Sequence, residues 1–542
     1  MAKVSSYLFK IASHPQEFEQ IFRLNHDTFA EEIPQHDKNE QGLLVDAYHE
    51  HNTYIIALKE KEVIGMISLA DNRPFSLDKK LGDIGDYLPN QMNINKLCEI
   101  RLLSVKEKYR KTKVFIGLLR MLHHVFKEKG YEGAVISGIL REEKLYRHIG
   151  FIPFAHQVGS AGAIYQPMYI TKDHILLTEK LLPSPVSFLP GPVRVSKEIL
   201  QTLGRQAFSH RDAAFMELIR RVQVSLTQMT QAKYVQIMIG TGTLANDAVA
   251  AQLALLKGKG LVLSNGEFGE RLVNRAKRYQ LQCRIVRKTW GEPFTETELA
   301  AELDAEIDAE IDWIWYVHCE TSTGTVNDME RITRVIGGKP IKQAVDCIST
   351  IGALPVDLKN VYLATGVSGK GIESISGLAL VFHNQEIQPN EQIPPYLDLG
   401  LYYLHNSVPY THSSSLLSAL EQALTKDFTK KYSDVASMYA YTYKRLTGSQ
   451  FELLPKEQQH SSPIISIILD KQISSVEIGE WMRRQGYYLH YQSSYLQERN
   501  WIQISMLGNV SLAAIIDMLD LFESMCLYLR NLQGEINEAL VE

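Results

Sequence analysis

Lys370 stands in the run Val361-Tyr-Leu-Ala-Thr-Gly-Val-Ser-Gly-Lys370-Gly-Ile-Glu, directly after an apolar stretch of strand character. Twenty-four residues earlier, Asp346 closes a second run of that kind, Ala344-Val-Asp346. A lysine that forms a Schiff base and an acid that holds a pyridinium nitrogen are the protein groups most characteristic of pyridoxal 5'-phosphate chemistry. A lysine after a strand is by itself ordinary solvated surface, so the case depends on the neighbouring motifs. Gly240-Thr241-Gly242-Thr243 follows an apolar run and opens the helical stretch Leu244 to Leu256. Free amides at a helix start suit a phosphate dianion, and the hydroxyls of Thr241 and Thr243 add donors; the plain alternative is a strand-to-helix connection. Phe268, in Asn265-Gly-Glu-Phe268-Gly-Glu-Arg271, is placed either to cover a cofactor ring or to fold onto the core. In His318-Cys-Glu320-Thr321-Ser-Thr-Gly324, Thr321 is within reach of a phenolic oxygen, and Glu320 reads equally well as a solvated loop carboxylate. Buried beside a cationic ring, Asp346 would keep the pyridine nitrogen protonated.

The elements that must carry these groups read as an α/β fold. Strand-like runs at 234–239, 260–264, 313–318, 343–347, 361–364 and 378–382 alternate with helical stretches, which implies a mostly parallel sheet. Ile464-Ile-Ser-Ile-Ile-Leu and Trp501-Ile-Gln-Ile-Ser-Met belong to a smaller α+β lobe. The clearest seam is Leu181 to Pro192, with four prolines in a dozen residues, a composition that disfavours helix and central strand. Ahead of it, Tyr54–Leu58 and Val63–Leu69 form a hairpin pattern, 98–105 a central strand, and 115–129 an amphipathic helix ending at Gly130. The expected domains are 1–175, a linker over 176–192, a large domain over 193–415 with an N-terminal segment from 187, and a small domain over 416–542.

The 542 residues, 45% apolar and 22% charged, are those of a globular multidomain chain. A formal net charge of −5 argues against a general nucleic-acid binder. Five scattered cysteines without CxxC spacing fit a reducing compartment and no zinc site. The start, Met1 to Phe9, lacks a leader-like apolar stretch, and no run reaches membrane-spanning length. The expectation is a cytoplasmic protein with no membrane span, no metal and no nucleic-acid partner.

Taken in order, Leu189-Pro-Gly-Pro-Val, His210-Arg211, Gly240-Thr-Gly-Thr, Gly266-Glu-Phe-Gly-Glu-Arg, Glu320-Thr-Ser-Thr-Gly, Asp346 and Lys370 resemble the class V aminotransferases. The similarity covers about residues 187–530 and is nearest the alanine–glyoxylate and 2-aminoethylphosphonate–pyruvate branch. It implies the fold type I of pyridoxal phosphate enzymes, a homodimer, and active sites shared between subunits. It implies that Lys370 carries the cofactor, with Asp346 at the pyridine nitrogen, Phe268 on the ring and Ser368 among the binding residues. Thr411, in Pro409-Tyr-Thr411-His, matches a position that reaches the other subunit's phosphate. Two departures stand out. Gly369 replaces the Gln, Asn or His usual before the lysine. Gln503, in Gln503-Ile-Ser-Met-Leu-Gly508, replaces the arginine that grips the substrate's acid group, a bidentate contact that glutamine cannot reproduce. An acidic substrate then needs another cation, with Arg499, Arg211 and Arg194 as candidates.

Leu97-Cys-Glu99-Ile-Arg101 through Arg110-Lys-Thr-Lys113-Val-Phe115 resembles the central strand, loop and helix of GNAT acyltransferases, and Leu145-Tyr146-Arg-His-Ile-Gly150-Phe151 their later motif. Phe22-Arg23 to Glu32, with Asp46, is also similar to the acyl-homoserine-lactone synthase branch. This resemblance implies an acyl-CoA or acyl-carrier-protein thioester as cosubstrate, with Glu99 as general base and Tyr146 as general acid toward the thiolate. The structural alternatives are an ion pair of Glu99 with Arg101 or Lys96, and a packed role for Tyr146. Both glycine positions of the family's pyrophosphate loop are lost. The leading reading is an aminotransferase that takes a small amino donor and a keto-acid or aldehyde acceptor, fused to an N-acyltransferase-like domain. The alternative is a pyridoxal phosphate lyase or decarboxylase with a degenerate, regulatory first domain. A non-catalytic sensor is a third reading, without any DNA-reading motif to support it.

Overall fold

In the computed structural model, the described residues are 7–160, 163–256, 258–304, 311–455 and 461–539. Met1 to Ser6, on which the leader reading partly rests, lie outside them. The chain divides into two compact units. One comprises Met1–Pro185, Glu480–Tyr487 and Asp517–Glu542; the other comprises Val186–Gly479 and Tyr488–Ile516. The division thus falls inside the proline-rich seam. Two segments from the end of the chain, expected within the small domain, group with the first unit. Trp481 and Gln485 there both donate to Phe9 O, at 2.8 and 3.0 Å. Among the described residues no helix is long and apolar enough to cross a membrane.

The first unit is built on one sheet of β1 (Tyr7–Ile11), β2 (Asn52–Lys59), β3 (Glu62–Ala70), β4 (Leu97–Val105), β5 (Gly133–Ile139), β6 (Ile152–Pro153), β7 (Val158–Ser160) and β8 (Ala163–Thr171). Their order is β1-β2-β3-β4-β5-β8-β6, with β7 also on β8. All pairs are antiparallel except β4 with β5, whose parallel register covers only Leu97–Glu99 against Gly133–Val135. Helices α1 (Ser76–Leu81), α2 (Val114–Lys129) and α3 (Glu143–Ile149) complete what the site discussion needs. Gly130 ends α2 in the left-handed region, φ +70, the conformation that a C-terminal helix cap requires.

The second unit contains β9 (Tyr234–Ile239), β10 (Lys259–Ser264), β11 (Cys283–Arg287), β12 (Ile311–Val317), β13 (Lys342–Asp346), β14 (Leu363–Val367) and β15 (Leu378–His383). The order is β9-β15-β14-β13-β12-β10-β11. Pairs β11/β10, β10/β12, β12/β13 and β13/β14 are parallel, while β15 runs antiparallel to both neighbours. Burial on both faces explains the near-continuous apolar runs. Leu261, Leu263, Ile314 and Tyr316 pack with Phe215 and Val222 on one side. Val262, Trp313, Trp315 and Val317 pack with Val249 and Leu272 on the other. Helices α4 (Gly242–Ala254), α5 (Glu267–Arg278) and α6 (Phe428–Gly448) support the site. A small antiparallel sheet holds β16 (Glu452–Leu454), β17 (Ile464–Ile468) and β18 (Trp501–Ser505). This is the mostly parallel α/β architecture with a smaller α+β part that the sequence patterning implied.

Candidate active site

The strand ends of the second sheet deliver the chemistry-bearing residues to one cavity. Asp346 is the last residue of β13, Thr321 lies just beyond β12, and Lys370 follows β14 by a short turn. Phe268 sits in the first turn of α5, beyond β10, and Gly242 and Thr243 open α4, beyond β9. The cavity measures about 170 Å³, and these six residues line it together with Asn246, Arg271, Arg275, Cys319 and Ser349, among others. Ligands gather at this edge of an open α/β sheet because the loops diverge there.

Lys370 Nζ stands 5.3 Å from the centre of the Phe268 ring. Burial lowers its pKa; the charge of Asp346 opposes that shift, and the charge of Arg271 adds to it. A larger share of the side chain is therefore the free, nucleophilic amine near neutral pH. Asp346 is buried and oriented: Asn246 Nδ2 donates to Oδ2 at 2.7 Å and the Ile348 amide to Oδ1 at 3.0 Å. Asn246 Oδ1 in turn accepts from Thr365 Oγ1 at 3.2 Å. Gly242 and Thr243, the first two residues of α4, line the cavity, and no side chain caps that helix start. A side chain at Gly242 would collide with Ile348, so the backbone there stays bare.

Glu320 is no solvated loop carboxylate; it is 0% exposed. Its oxygens accept from Ser322 Oγ at 2.6 Å, Gly269 N at 2.9 Å, Ser322 N at 3.1 Å and Phe268 N at 3.3 Å. Burial raises its pKa against those bonds. It caps α5 and thereby holds Phe268, and a side chain at Gly266 would collide with it.

Several expected site residues do not line the cavity. Gly240 donates its amide to Gly377 O at 2.8 Å, and Thr241 is the exposed residue ahead of α4. Ser368 Oγ donates to Ile375 O at 2.6 Å, which ties the lysine loop to its own return. Thr411 is exposed. Gln503 is 0% exposed, and its Nε2 donates to Ser466 Oγ at 2.7 Å, Thr321 O at 2.8 Å and Ser322 O at 2.9 Å. Its Oε1 lies 2.7 Å from His490 Nδ1, so that nitrogen carries the proton and Nε2 faces Ser493 Oγ at 2.7 Å. Burial, and then the charge of Lys370, lower the His490 pKa. Arg499 stacks 4.0 Å above Trp290 and donates to Tyr495 O at 3.1 Å. Arg194 and Arg211 are also absent from the lining; Arg271 is present, 4.7 Å over Phe268 and paired with Glu267 at 3.0 Å. Gly369 admits no larger residue, because a side chain there would collide with Ser376.

From the sequence, Asn246 and Arg271 received no site role and Cys319 reads as packing; all three line the cavity. For Asn246 a signal existed: it is a polar residue among the buried alanines of α4, one turn beyond Gly242.

In the first unit, Glu99 is buried beneath the start of α1. Its carboxylate accepts from Ser76 Oγ at 2.7 Å, Ser76 N at 2.8 Å and Leu77 N at 3.2 Å, with Arg101 at 3.5 Å. Arg101 forms a two-pronged pair with Asp46 at 2.8 and 2.9 Å. Tyr146 is half-buried, so close above β5 that a Cβ at Gly138 would stand 2.8 Å from its ring, and burial raises its pKa. Arg110 is held by Glu32 and by Val105 O at 2.8 Å.

Residues 24–120 match the GNAT acetyltransferase domain model, and residues 196–490 match the class-V aminotransferase model. The chain is 29% identical over 249 residues to the soluble hydrogenase small subunit of a Synechococcus strain, covering 44% of this chain. It spans 64% of the length of that relative. It is 22% identical over 345 residues to the 2-aminoethylphosphonate–pyruvate transaminase of Phocaeicola vulgatus, covering 59% of this chain and 93% of that one. The solved alanine–glyoxylate aminotransferase of a Nostoc species superposes with a TM-score of 0.58 at 23% identity, covering 64% of this chain and 96% of that one. A family match across more than half of the residues, on a cavity lined by Lys370, Asp346 and Phe268, leads to one conclusion: the chain belongs to the class-V aminotransferases.

Proposed function

We propose that the second unit is a pyridoxal phosphate-dependent aminotransferase that moves an amino group from a small donor to a keto-acid or aldehyde acceptor. The convergence of Lys370, Asp346, Phe268, Thr321 and the bare start of α4 on one cavity carries this reading. The donor set fits the cofactor: an anion site without side chains, an aromatic face, a buried oriented carboxylate and a desolvated amine. When bound, the cofactor supplies an electron sink for negative charge developing on the substrate's α-carbon. The start of α4 would hold its phosphate through the amides of Gly242 and Thr243, the two residues of that turn that line the cavity, and through the Thr243 hydroxyl. Phe268 would cover one face of the ring and exclude water, and Thr321 would be the residue for the phenolic oxygen. Asp346, its Oδ2 steadied by Asn246, would favour a proton on the pyridine nitrogen. Lys370 Nζ would hold the cofactor and stands where a base could take up the α-proton; Ser368 braces its loop. The working form is a cytoplasmic homodimer in which Thr411 reaches the phosphate site of the second copy.

The test is spectroscopic. Protein loaded with pyridoxal phosphate should show a visible band that borohydride fixes on Lys370, and an amino donor followed by a keto acid should interconvert the pyridoxal and pyridoxamine forms. A band that persists in Lys370→Ala, or product release without pyridoxamine, overturns the reading.

For the first unit the proposal is an N-acyltransferase that uses an acyl-CoA or acyl-carrier-protein thioester. It is supported by the GNAT match and by the short parallel register of β4 and β5. Glu99, committed to capping α1, acts by shaping the site around Arg101 and Asp46, and Tyr146 is the candidate acid. Thiol release from an acyl thioester and an amine should fall in Tyr146→Phe. Equal release from the variant and the wild-type protein removes Tyr146, and no release from either removes the activity.

A further inference from the structure

A buried cation that the proposed chemistry does not use holds the backbone that carries Lys370. Lys431, on α6, donates from Nζ to Gly371 O and to Leu507 O at 3.3 Å, and pairs with Glu373 Oε1 at 2.7 Å. Three acceptors thus meet the three hydrogens of one ammonium. Glu373 is itself buried and left-handed, with φ +59, a conformation that side-chain-bearing residues seldom adopt. Its amide donates to Lys370 O at 2.8 Å, and its Oε2 accepts from Lys426 at 2.5 Å. Such a conformation persists where the surroundings over-determine it, and here the two lysines do so. The loop has no slack on its other side. A Cβ on Gly371 would stand 2.5 Å from Ile351 O, and Ser374 N returns to Ser368 O at 2.9 Å.

We infer that Lys431 is a positioning residue: through Glu373 and the Gly371 carbonyl it fixes the loop that aims Lys370 into the cavity. The inference rests on the reading of Lys370 as the cofactor lysine. Glu373 and Lys426 are the charged groups that bear on it. Burial brings the Lys431 pKa down to about 8 while Glu373 opposes the shift, so the ammonium tripod is intact at neutral pH.

Lys431→Met, Lys431→Arg and Glu373→Gly provide the test, each read by three measurements. These are the rate at which pyridoxal phosphate is captured as a borohydride-fixed adduct on Lys370, the pH midpoint of the visible band, and the acetylation rate of Lys370 in cofactor-free protein. Lys431→Met should slow capture about tenfold or more, the consequence of losing a charge-assisted buried contact, and should displace the band's midpoint. Lys431→Arg should recover most of both. Glu373→Gly suits the left-handed backbone while removing the carboxylate, so it should behave like Lys431→Met, and it decides the matter if that variant does not fold. Wild-type capture and titration in Glu373→Gly or in folded Lys431→Met overturn the inference. Absence of any adduct on Lys370 in the wild-type protein instead overturns the cofactor reading, and this inference with it.

Discussion

Replacing Gln503 with arginine should damage the protein without creating an acid-binding site. The carboxamide is sealed in the small sheet: its nitrogen serves Thr321 O, Ser322 O and Ser466 Oγ, and its oxygen accepts from His490 Nδ1 at 2.7 Å. Arginine has no acceptor, so the His490 N–H loses its partner, at about 1–3 kcal/mol for an orphaned buried donor. Two further heavy atoms must enter a position with 0% exposure, and overpacking adds about 1–3 kcal/mol. The sum, roughly 2–6 kcal/mol, is a large part of the ~5–15 kcal/mol that holds a typical fold together. The new guanidinium meets the three oxygens already there and does not reach the cavity. Urea unfolding read by tryptophan fluorescence gives the stability, and pyridoxamine formation from neutral against acidic amino donors gives the specificity. Stability within about 0.5 kcal/mol of the parent, or a selective gain for acidic donors, refutes the account of Gln503 as a buried strut.

Asn246→Leu should leave Asp346 Oδ2 without its 2.7 Å donor and weaken retention of pyridoxal phosphate roughly tenfold, measured by equilibrium dialysis against the parent. His383 donates from Nδ1 to Gln385 O at 2.7 Å and accepts at Nε2 from Gln236 at 2.9 Å; burial brings its pKa down to about 4. A depressed folded value means that stability is complete above the ordinary value near 6.5 and is lost as pH falls from there toward 4. The loss is about 3 kcal/mol at most, and a flat profile in His383→Gln would match the assignment. In the first unit, Lys10 Nζ contacts Glu17 at 2.8 Å and Tyr528 at 2.7 Å in a buried cluster. Lys10→Met should cost about 3–5 kcal/mol by stranding the carboxylate, visible as a lowered unfolding transition with cofactor absorbance unchanged.

Much of the fold was legible because hydrophobic burial writes a periodic record. The run 234–239 became β9 with those bounds, and 260–264 differs from β10 by one residue, since strands covered on both faces read as continuous apolar segments. Edge strand β11, Cys-Arg-Ile-Val-Arg, is only half-buried and puts two arginines in five residues, too short an apolar run to read as a strand. In the site, Lys370, Asp346, Phe268 and Thr321 were legible because each follows such a run, where loops leave the sheet. The burial of Glu320 was not legible. Its sequence surroundings, Cys-Glu-Thr-Ser-Thr-Gly, have a loop's composition; Ser322 supplies two local donors, and only the approach of α5 adds the Phe268 and Gly269 amides that complete the set.

The order of strands and helices, the seam between the two parts and the ordered motif set follow from local periodicity and residue type, and so were readable along the chain. The sequence also exposed the loss of arginine at Gln503. What Gln503, Asn246, Glu99, Glu373 and Lys431 do depends on the folded chain. Each is a polar group whose partners lie elsewhere in the chain, as Lys431 does from Gly371 and Gln503 from Thr321. A buried polar group is tolerated only with those partners in place, so its role is set by which distant backbone atoms folding brings within hydrogen-bond reach.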